Sequence, residues 1–373
     1  MEFGLNEQQR AMQESFAAYL DDVTSVEKLR AALAEGPVHD VEVWQGMVDM
    51  GLAGLLVPEA YGGLGLSLLD AVLVQELLGS RVVPAAYAPT AVLATVALVL
   101  AGSEAQKEQW LPAIVEGNLQ VAVGLSDAGG VREGAVLTSR QGLLSGRLLL
   151  VEGAPDAQLL ICSCDQGDLY AIPREAVGLE WVALRTIDDT RCHWQVNLQE
   201  VQPDLLSAAG DVASRLLSAG RILHAADTLG AAQSMLDKAV AYAGERQQFG
   251  RLIGSFQAVK HLCAEMAAEL EPCRALLWYA AHAFDAAPAE HVMIACHAKA
   301  HLSETGSFIA RTATEVHGGM GFTELLGLHY WFKRIGCNRQ LLGGPERLRE
   351  EAAHAQGWGL PPPRIALQGG GYR

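Results

Sequence analysis

The residues of this chain best suited to chemistry gather in two short segments of its second half. Tyr242 to Lys260 reads YAGERQQFGRLIGSFQAVK, and Glu315 to Phe322 reads EVHGGMGF. In the first, Arg246 stands at a helix end just before Phe249-Gly250. A guanidinium there can hold a pyrophosphate through paired, charge-assisted hydrogen bonds. Phe249 can offer an apolar ring face to an adenine, and Gln257 can read the edge of a base or ribose. In the second, His317-Gly318-Gly319-Met320-Gly321 lets the backbone approach a phosphate or ribityl chain, because glycine has no Cβ in the way. His317 can donate a hydrogen bond there, or carry a positive charge. Each feature alone has a plainer reading: Glu245 and Arg246 as a solvated pair, Phe249 as a core residue, the glycines as a turn.

Other reactive side chains point to less. The seven cysteines are odd in number and form no CxxC, so neither a disulfide framework nor a zinc site is expected. Cys162 and Cys164, in the apolar run LLICSC, read as small buried strand residues. His297 and His301 share a helix face at i, i+4 spacing, but no acidic third ligand accompanies them and no metal is expected. His261 reads as a bundle residue.

Elements must position these groups, and the chain changes texture twice in supplying them. From 1 to 117 the pattern is helical, with amphipathic segments such as NEQQRAMQESFAAYLDDV, and Leu69 to Gly79 reads as a central helix apolar nearly all round. From 118 to 203 short apolar runs between Gly, Asp and Pro predict a small antiparallel barrel or sandwich. From 204 to 354 long Ala/Leu-rich helices return and predict a four-helix bundle. The remainder, 355 to 373, holds PPPRIALQGGGYR and reads as a flexible tail. The fold class expected is therefore α+β, mostly α.

Composition excludes several functions. Half of the 373 residues are hydrophobic, ample for more than one folding unit. The longest apolar run, Leu93 to Ala101, is too short to span a bilayer. The start, MEFGLNEQQR, has no basic flank and apolar core, so a cytoplasmic, reducing location is expected. Net charge is −16 with no Lys/Arg block of five or more, which speaks against nucleic acid. An anionic ligand must be met by local positive groups.

Taken together, the Tyr242–Lys260 segment, the EVHGGMGF loop, VPEAYGGLG and GSEAQKEQWLPAIVEGN resemble the acyl-CoA dehydrogenase family, in order and spacing, over about residues 1 to 352. The resemblance implies FAD as cofactor, an acyl-CoA substrate and an electron-transferring flavoprotein as acceptor. It also implies that Arg246, Phe249, Gln257 and the loop of His317, Gly318, Gly319 and Gly321 reach an FAD held mainly by a neighbouring subunit. Arg221 lies on the helix that lines the acyl-CoA pocket in the family, and the resemblance offers it to an anionic CoA or a carboxylate; a solvent-facing arginine is the commoner case. Ser126, in Ser126-Asp127-Ala128-Gly129, keeps a hydroxyl for the flavin ring edge.

The pattern departs where the chemistry should be. The family abstracts the substrate α-proton with a glutamate, either in a loop after the glycine segment or on the long helix before the Arg-x-x-Phe-Gly turn. Those positions fall at about Leu342 and Gly220, and neither side chain can accept a proton. The catalytic residue is therefore left unknown. Glu346 is the nearest carboxylate, though a solvated first-turn glutamate is the plainer account of it. Near Leu150 and Glu152 the family has a Trp followed by Thr or Ser against the isoalloxazine, and a glutamate there is unwelcome beside a reduced flavin. These departures resemble the helper chain of bacterial heterotetramers, some acting on steroid side-chain CoA thioesters, in which a second acyl-CoA dehydrogenase-like subunit supplies the base. A homotetramer using Glu346 and a non-catalytic scaffold of the same fold are the alternatives.

Overall fold

The computed structural model describes residues 4–36, 39–125, 135–207 and 210–359. Three helices open the chain: α1 (Glu7–Val23), α2 (Val26–Glu35) and α3 (Val41–Asp49). Side chains of Asn6, Ser25 and Asp40 cap them by accepting from backbone N–H groups in the first turn. Next, α4 (Leu68–Ser80) is buried nearly all round, as its apolar run predicts. A π-helical segment, Ala88–Ala94, leads into α5 (Thr95–Ala101) and α6 (Glu104–Val115).

Strands follow: β1 (Val121–Gly124), β2 (Leu137–Arg140), β3 (Leu143–Glu152), β4 (Leu159–Ser163), β5 (Leu169–Pro173), β6 (Leu179–Leu184), β7 (His193–Val201) and β8 (Asp204–Ser207). Their order is β6-β7-β3-β1-β4-β5-β8, with β2 on β3. The sheet is antiparallel as expected except at β1–β4, which run parallel from Val121↔Leu159 to Gly124↔Cys162. It also takes in β8, beyond the expected end of the strand region at 203. Alternation along the strands gives two cores. Val121, Val123, Leu159 and Ile161 join the helices. Ala122, Leu148, Leu160, Cys162 and Val196 close a core within the sheet.

Helices then resume with α7 (Gly210–Glu245), 36 residues long. It ends in a hairpin of β9 (Gln247–Gln248) and β10 (Arg251–Leu252). After this come α8 (Gln257–Ala286), α9 (His291–His317), α10 (Leu328–Gln340) and α11 (Pro345–Ala355). Helices α7, α8, α9 and α10 pack on one another, α11 covers α9, and α4 lies along α7. Phe16, Val72, Ile222, Leu302 and Trp331 belong to one apolar cluster, so the first and last helical regions share a core. Among the described residues no helix is long and apolar enough to cross a membrane. The PPPRIALQGGGYR segment lies outside the described residues.

The α4–α7 crossing is unusually close because a glycine on each helix meets the backbone of the other. A Cβ on Gly79 would stand 2.2 Å from the Asp227 carbonyl oxygen, and one on Gly230 would stand 1.9 Å from that of Glu76. Gly230→Ala should therefore destabilise the chain by about 2 kcal/mol or more in urea unfolding, since the clash is with backbone that cannot rotate away. Gly244→Ala, on the exposed end of α7 with nothing near the new methyl, should instead stabilise by about 0.5–1 kcal/mol.

Candidate flavin-contact face and the closed cleft

The hairpin after α7 is made of two-residue strands joined by Phe249 (φ 53°) and Gly250 (φ 74°). Both loop residues have positive φ, the geometry whose twist matches that of the strands it joins. Glycine adopts it freely, whereas phenylalanine is held there at a cost of about 1–2 kcal/mol. That strain holds an aromatic ring in solvent: Phe249 is 92% exposed. Phe256 supports it edge-on at 6.2 Å, and the Arg251 guanidinium lies 3.9 Å over the Phe256 ring. Arg246 is exposed at the hairpin base, its N–H donating to Tyr242 O and its carbonyl accepting from Ile253 N. Gln257, also exposed, opens α8.

The glycine loop adjoins this hairpin through one stack. His317, the last residue of α9, lies against Tyr242 with ring centroids 4.6 Å apart and planes 27° from parallel. Its Nδ1 is 2.7 Å from Ala313 O, a pure acceptor, so Nδ1 carries the hydrogen. Burial, and then the Lys238 charge, hold its pKa below the ordinary value. His317 is thus a neutral positioning ring, not the cation its type allowed. Gly318 (φ 59°) turns the chain out of α9, and nothing lies within 4 Å of a Cβ built on Gly318 or Gly319. Gly321 differs: a Cβ there would stand 2.6 Å from Thr314 O, so its role is to fold the loop. Ser126 lies outside the described residues. Tyr242 joins the two segments through its stack on His317, a long-range contact that leaves no signal in the residue pattern.

Leu342 and Gly220 converge on one spot. A Cβ on Gly220 would stand 2.6 Å from Leu342 Cδ1, with Leu93 next nearest. A leucine side chain therefore fills the place to which both positions point, and no proton acceptor stands at either. Two buried cations fix this loop. Arg221 Nε donates to Leu342 O at 3.0 Å, and Lys299 Nζ donates to Asn338 O at 2.8 Å and Gly343 O at 3.2 Å. Arg221 is 1% exposed and pairs with Glu351 at 2.7 Å. It is not a solvent-facing arginine: it is buried in the bundle and ion-paired there. Glu346 points away, its side chain 78% exposed and paired with Arg339 at 3.2 Å.

Glu152 has a different setting from the one its position suggested. A bulge between Leu148 and Val151, with Leu150 at φ 55°, re-aims the end of β3. The Glu152 carboxylate meets His224 Nε2 of α7 at 2.9 Å. Burial would raise its pKa, but His224 and Arg191 outweigh burial and hold the carboxyl well below the usual range. Beside it Asp227 pairs with Arg191 (2.8 Å) and Arg334 (3.2 Å), and Arg334 reaches Asp188 at 2.8 Å. Gln75 and Asn338 also donate to Asp227, each at 2.8 Å. Glu152, His224, Arg191, Arg334 and Gln75 line one cleft. Among the described residues no group of three or more His, Cys, Asp and Glu is placed to hold a metal.

Comparison with known proteins accounts for this arrangement. A model of the acyl-CoA dehydrogenase N-terminal domain matches residues 6–118, and one of the C-terminal domain matches residues 210–356. Acyl-CoA dehydrogenase IpdE2 of Mycolicibacterium smegmatis is 30% identical over 347 residues, covering 92% of this chain and 98% of its own. This chain belongs to the acyl-CoA dehydrogenase family. Among solved structures, a variant of the Tcur3481–Tcur3483 steroid ACAD superposes with a TM-score of 0.87 at 28% identity, covering 94% of this chain and 98% of that one. The ChsE4–ChsE5 complex of Mycobacterium tuberculosis gives 0.87 at 24% identity, covering 97% and 100%, and shares the fold.

FAD is the cofactor of acyl-CoA dehydrogenases. Its fit to this chain is one-sided. Exposed Arg246 and Phe249 and the open backbone of Gly318 and Gly319 suit a diphosphate and an adenine arriving from outside. The cleft behind Glu152 is lined instead by Glu152, His224, Arg191 and Arg334, charged side chains already paired within the chain, rather than by an apolar face for a tricyclic ring.

Two tests follow. Phe249→Asn, which suits positive φ, should stabilise the isolated chain by up to about 1 kcal/mol in denaturant unfolding. Lys299 is pushed down to about 7, by burial first and then by Arg221. Its unfolded value is about 10.4, so between these limits the unfolded chain binds the extra proton and stability should rise with pH. Unfolding free energies measured from pH 7 to 10 should show that rise, and Lys299→Met should flatten it.

Proposed function

We propose that this chain is the cofactor-completing subunit of a heteromeric, FAD-dependent acyl-CoA dehydrogenase. A second acyl-CoA dehydrogenase-like chain supplies the base and most of the substrate pocket. The observation that carries this reading is Leu342 packed over Gly220: the chain has no proton acceptor at either expected position, yet Arg246, Phe249 and Gln257 stand exposed for a flavin nucleotide. It is supported by the similarity to the Tcur3481–Tcur3483 steroid ACAD and by the fold shared with the ChsE4–ChsE5 complex. On the same ground the substrate is an acyl-CoA thioester with a bulky, steroid-like acyl group. Electrons leave through an electron-transferring flavoprotein, and the assembly works in the cytoplasm.

In this assembly bound FAD supplies the acceptor for the β-hydrogen of the substrate. The work of this chain is to hold it. Arg246 would meet the diphosphate, Phe249 the adenine, Gln257 a base or ribose edge, and the backbone of Gly318 and Gly319 the phosphate or ribityl chain. Tyr242 and His317 keep hairpin and loop in one arrangement. The hairpin segment carries Arg246, Arg251 and Lys260, basic residues suited to an anionic cofactor in an otherwise acidic chain. Homotetrameric catalysis by Glu346 is disfavoured by the exposure of that side chain and its pairing with Arg339.

The test is a visible absorption spectrum, native mass and acyl-CoA turnover, for the chain alone and co-expressed with a family neighbour. Flavin and turnover should appear only in the co-expressed complex. In that complex Arg246→Ala and Phe249→Asn should each weaken FAD retention about tenfold or more. Full turnover by the chain alone would overturn the reading.

A further inference from the structure

Glu152, Asp188, Arg191, His224, Asp227 and Arg334 form one buried hub that neither the hairpin nor the glycine loop uses. Its members come from every region of the chain. Asp227 and His224 belong to α7, Arg334 to α10, Glu152 to β3, and Asp188 and Arg191 to the turn between β6 and β7. Gln75 of α4 donates to Asp227 at 2.8 Å and brings in the first helical region. Asp188, Asp227 and Arg334 are each no more than 1% exposed. Carboxylates and cations so placed strongly favour their mutual contacts over leaving one partner alone, because an unpaired buried charge is costly. Sheet and helices cannot separate here without stranding several charges at once.

We propose that this hub fastens the sheet to the helices in place of a bound cofactor, so that the chain folds and persists as a flavin-free subunit and meets flavin only through its partner. The proposal rests on the reading above but addresses a different property, the independent folding of this chain. Glu152, Arg191, His224 and Arg334 line the cleft beside Glu152, so the charges that fasten the sheet to the helices also wall that cleft and are committed to one another.

Thermal melts of the isolated full chain, with and without excess FAD, test this directly. The wild type should melt in one cooperative step, with a shift of less than about 1 °C on adding FAD. Asp227→Asn should lower that transition by roughly 5–10 °C, since it leaves Arg191 and Arg334 short of a charge. Glu152→Gln, which keeps the shape and the hydrogen-bond acceptor, should lower it by a smaller margin. It carries the test if Asp227→Asn does not fold. Melts of both variants that match the wild type would overturn the proposal. So would a shift of several degrees with FAD that survives Arg246→Ala, because FAD would then occupy the cleft. A shift abolished by Arg246→Ala would place FAD on the hairpin face and uphold it. Turnover by the isolated chain is a separate readout, which bears on the proposed function and not on the hub variants.

Discussion

One carboxylate organises the molecule. Asp227 accepts from Gln75 of α4, from Arg191 ahead of β7, and from Arg334 and Asn338 of α10. Burial alone would raise its pKa, but the two guanidinium groups outweigh burial and hold it below the ordinary value. Such a charge is tolerable only with its partners in place, so the three regions depend on one another. The close α4–α7 crossing makes the contact geometrically possible. Gly79 lies against the backbone of Asp227 itself, bringing α4 near enough for Gln75 to reach the carboxylate.

The two faces of α7 carry opposite solutions to the same ligand problem. On the inward face, Gly220, Arg221, His224 and Asp227 are saturated by Leu342, Glu351, Glu152 and the arginines. At its other end the helix leads into a hairpin that leaves Arg246 and the aromatic tip of Phe249 exposed. Lys299 links the regions, because the Asn338 that accepts from it through its carbonyl also donates to Asp227 through its side chain. Loop, helix and hub therefore hold one arrangement.

Much of this was legible in the residues. Periodicity gave the helical, stranded and helical regions, since a buried helix and a half-buried strand impose different spacings on apolar side chains. Arg246, Phe249 and the glycines could be picked out by their types and spacing, although each alone also allowed a plainer reading. What stayed hidden depended on contacts far apart in the chain. The parallel β1–β4 pairing, the bulge that re-aims Glu152 and the burial of Arg221 against Glu351 leave no local signature. Glu152 read as a misplaced charge because its partner, His224, lies 72 positions away (224 − 152). His317 read as a hydrogen-bond donor or a cation, and only its stack on Tyr242 and its bond to Ala313 show it as a positioning ring.

Phe249 has a further consequence, for the life of the chain before assembly. An aromatic ring held in water by a strained turn, with only the edge of Phe256 beside it, leaves apolar surface in solvent, as does Phe322 of the glycine loop. Were a partner to cover both, the unassembled chain would be the more adhesive of the two states.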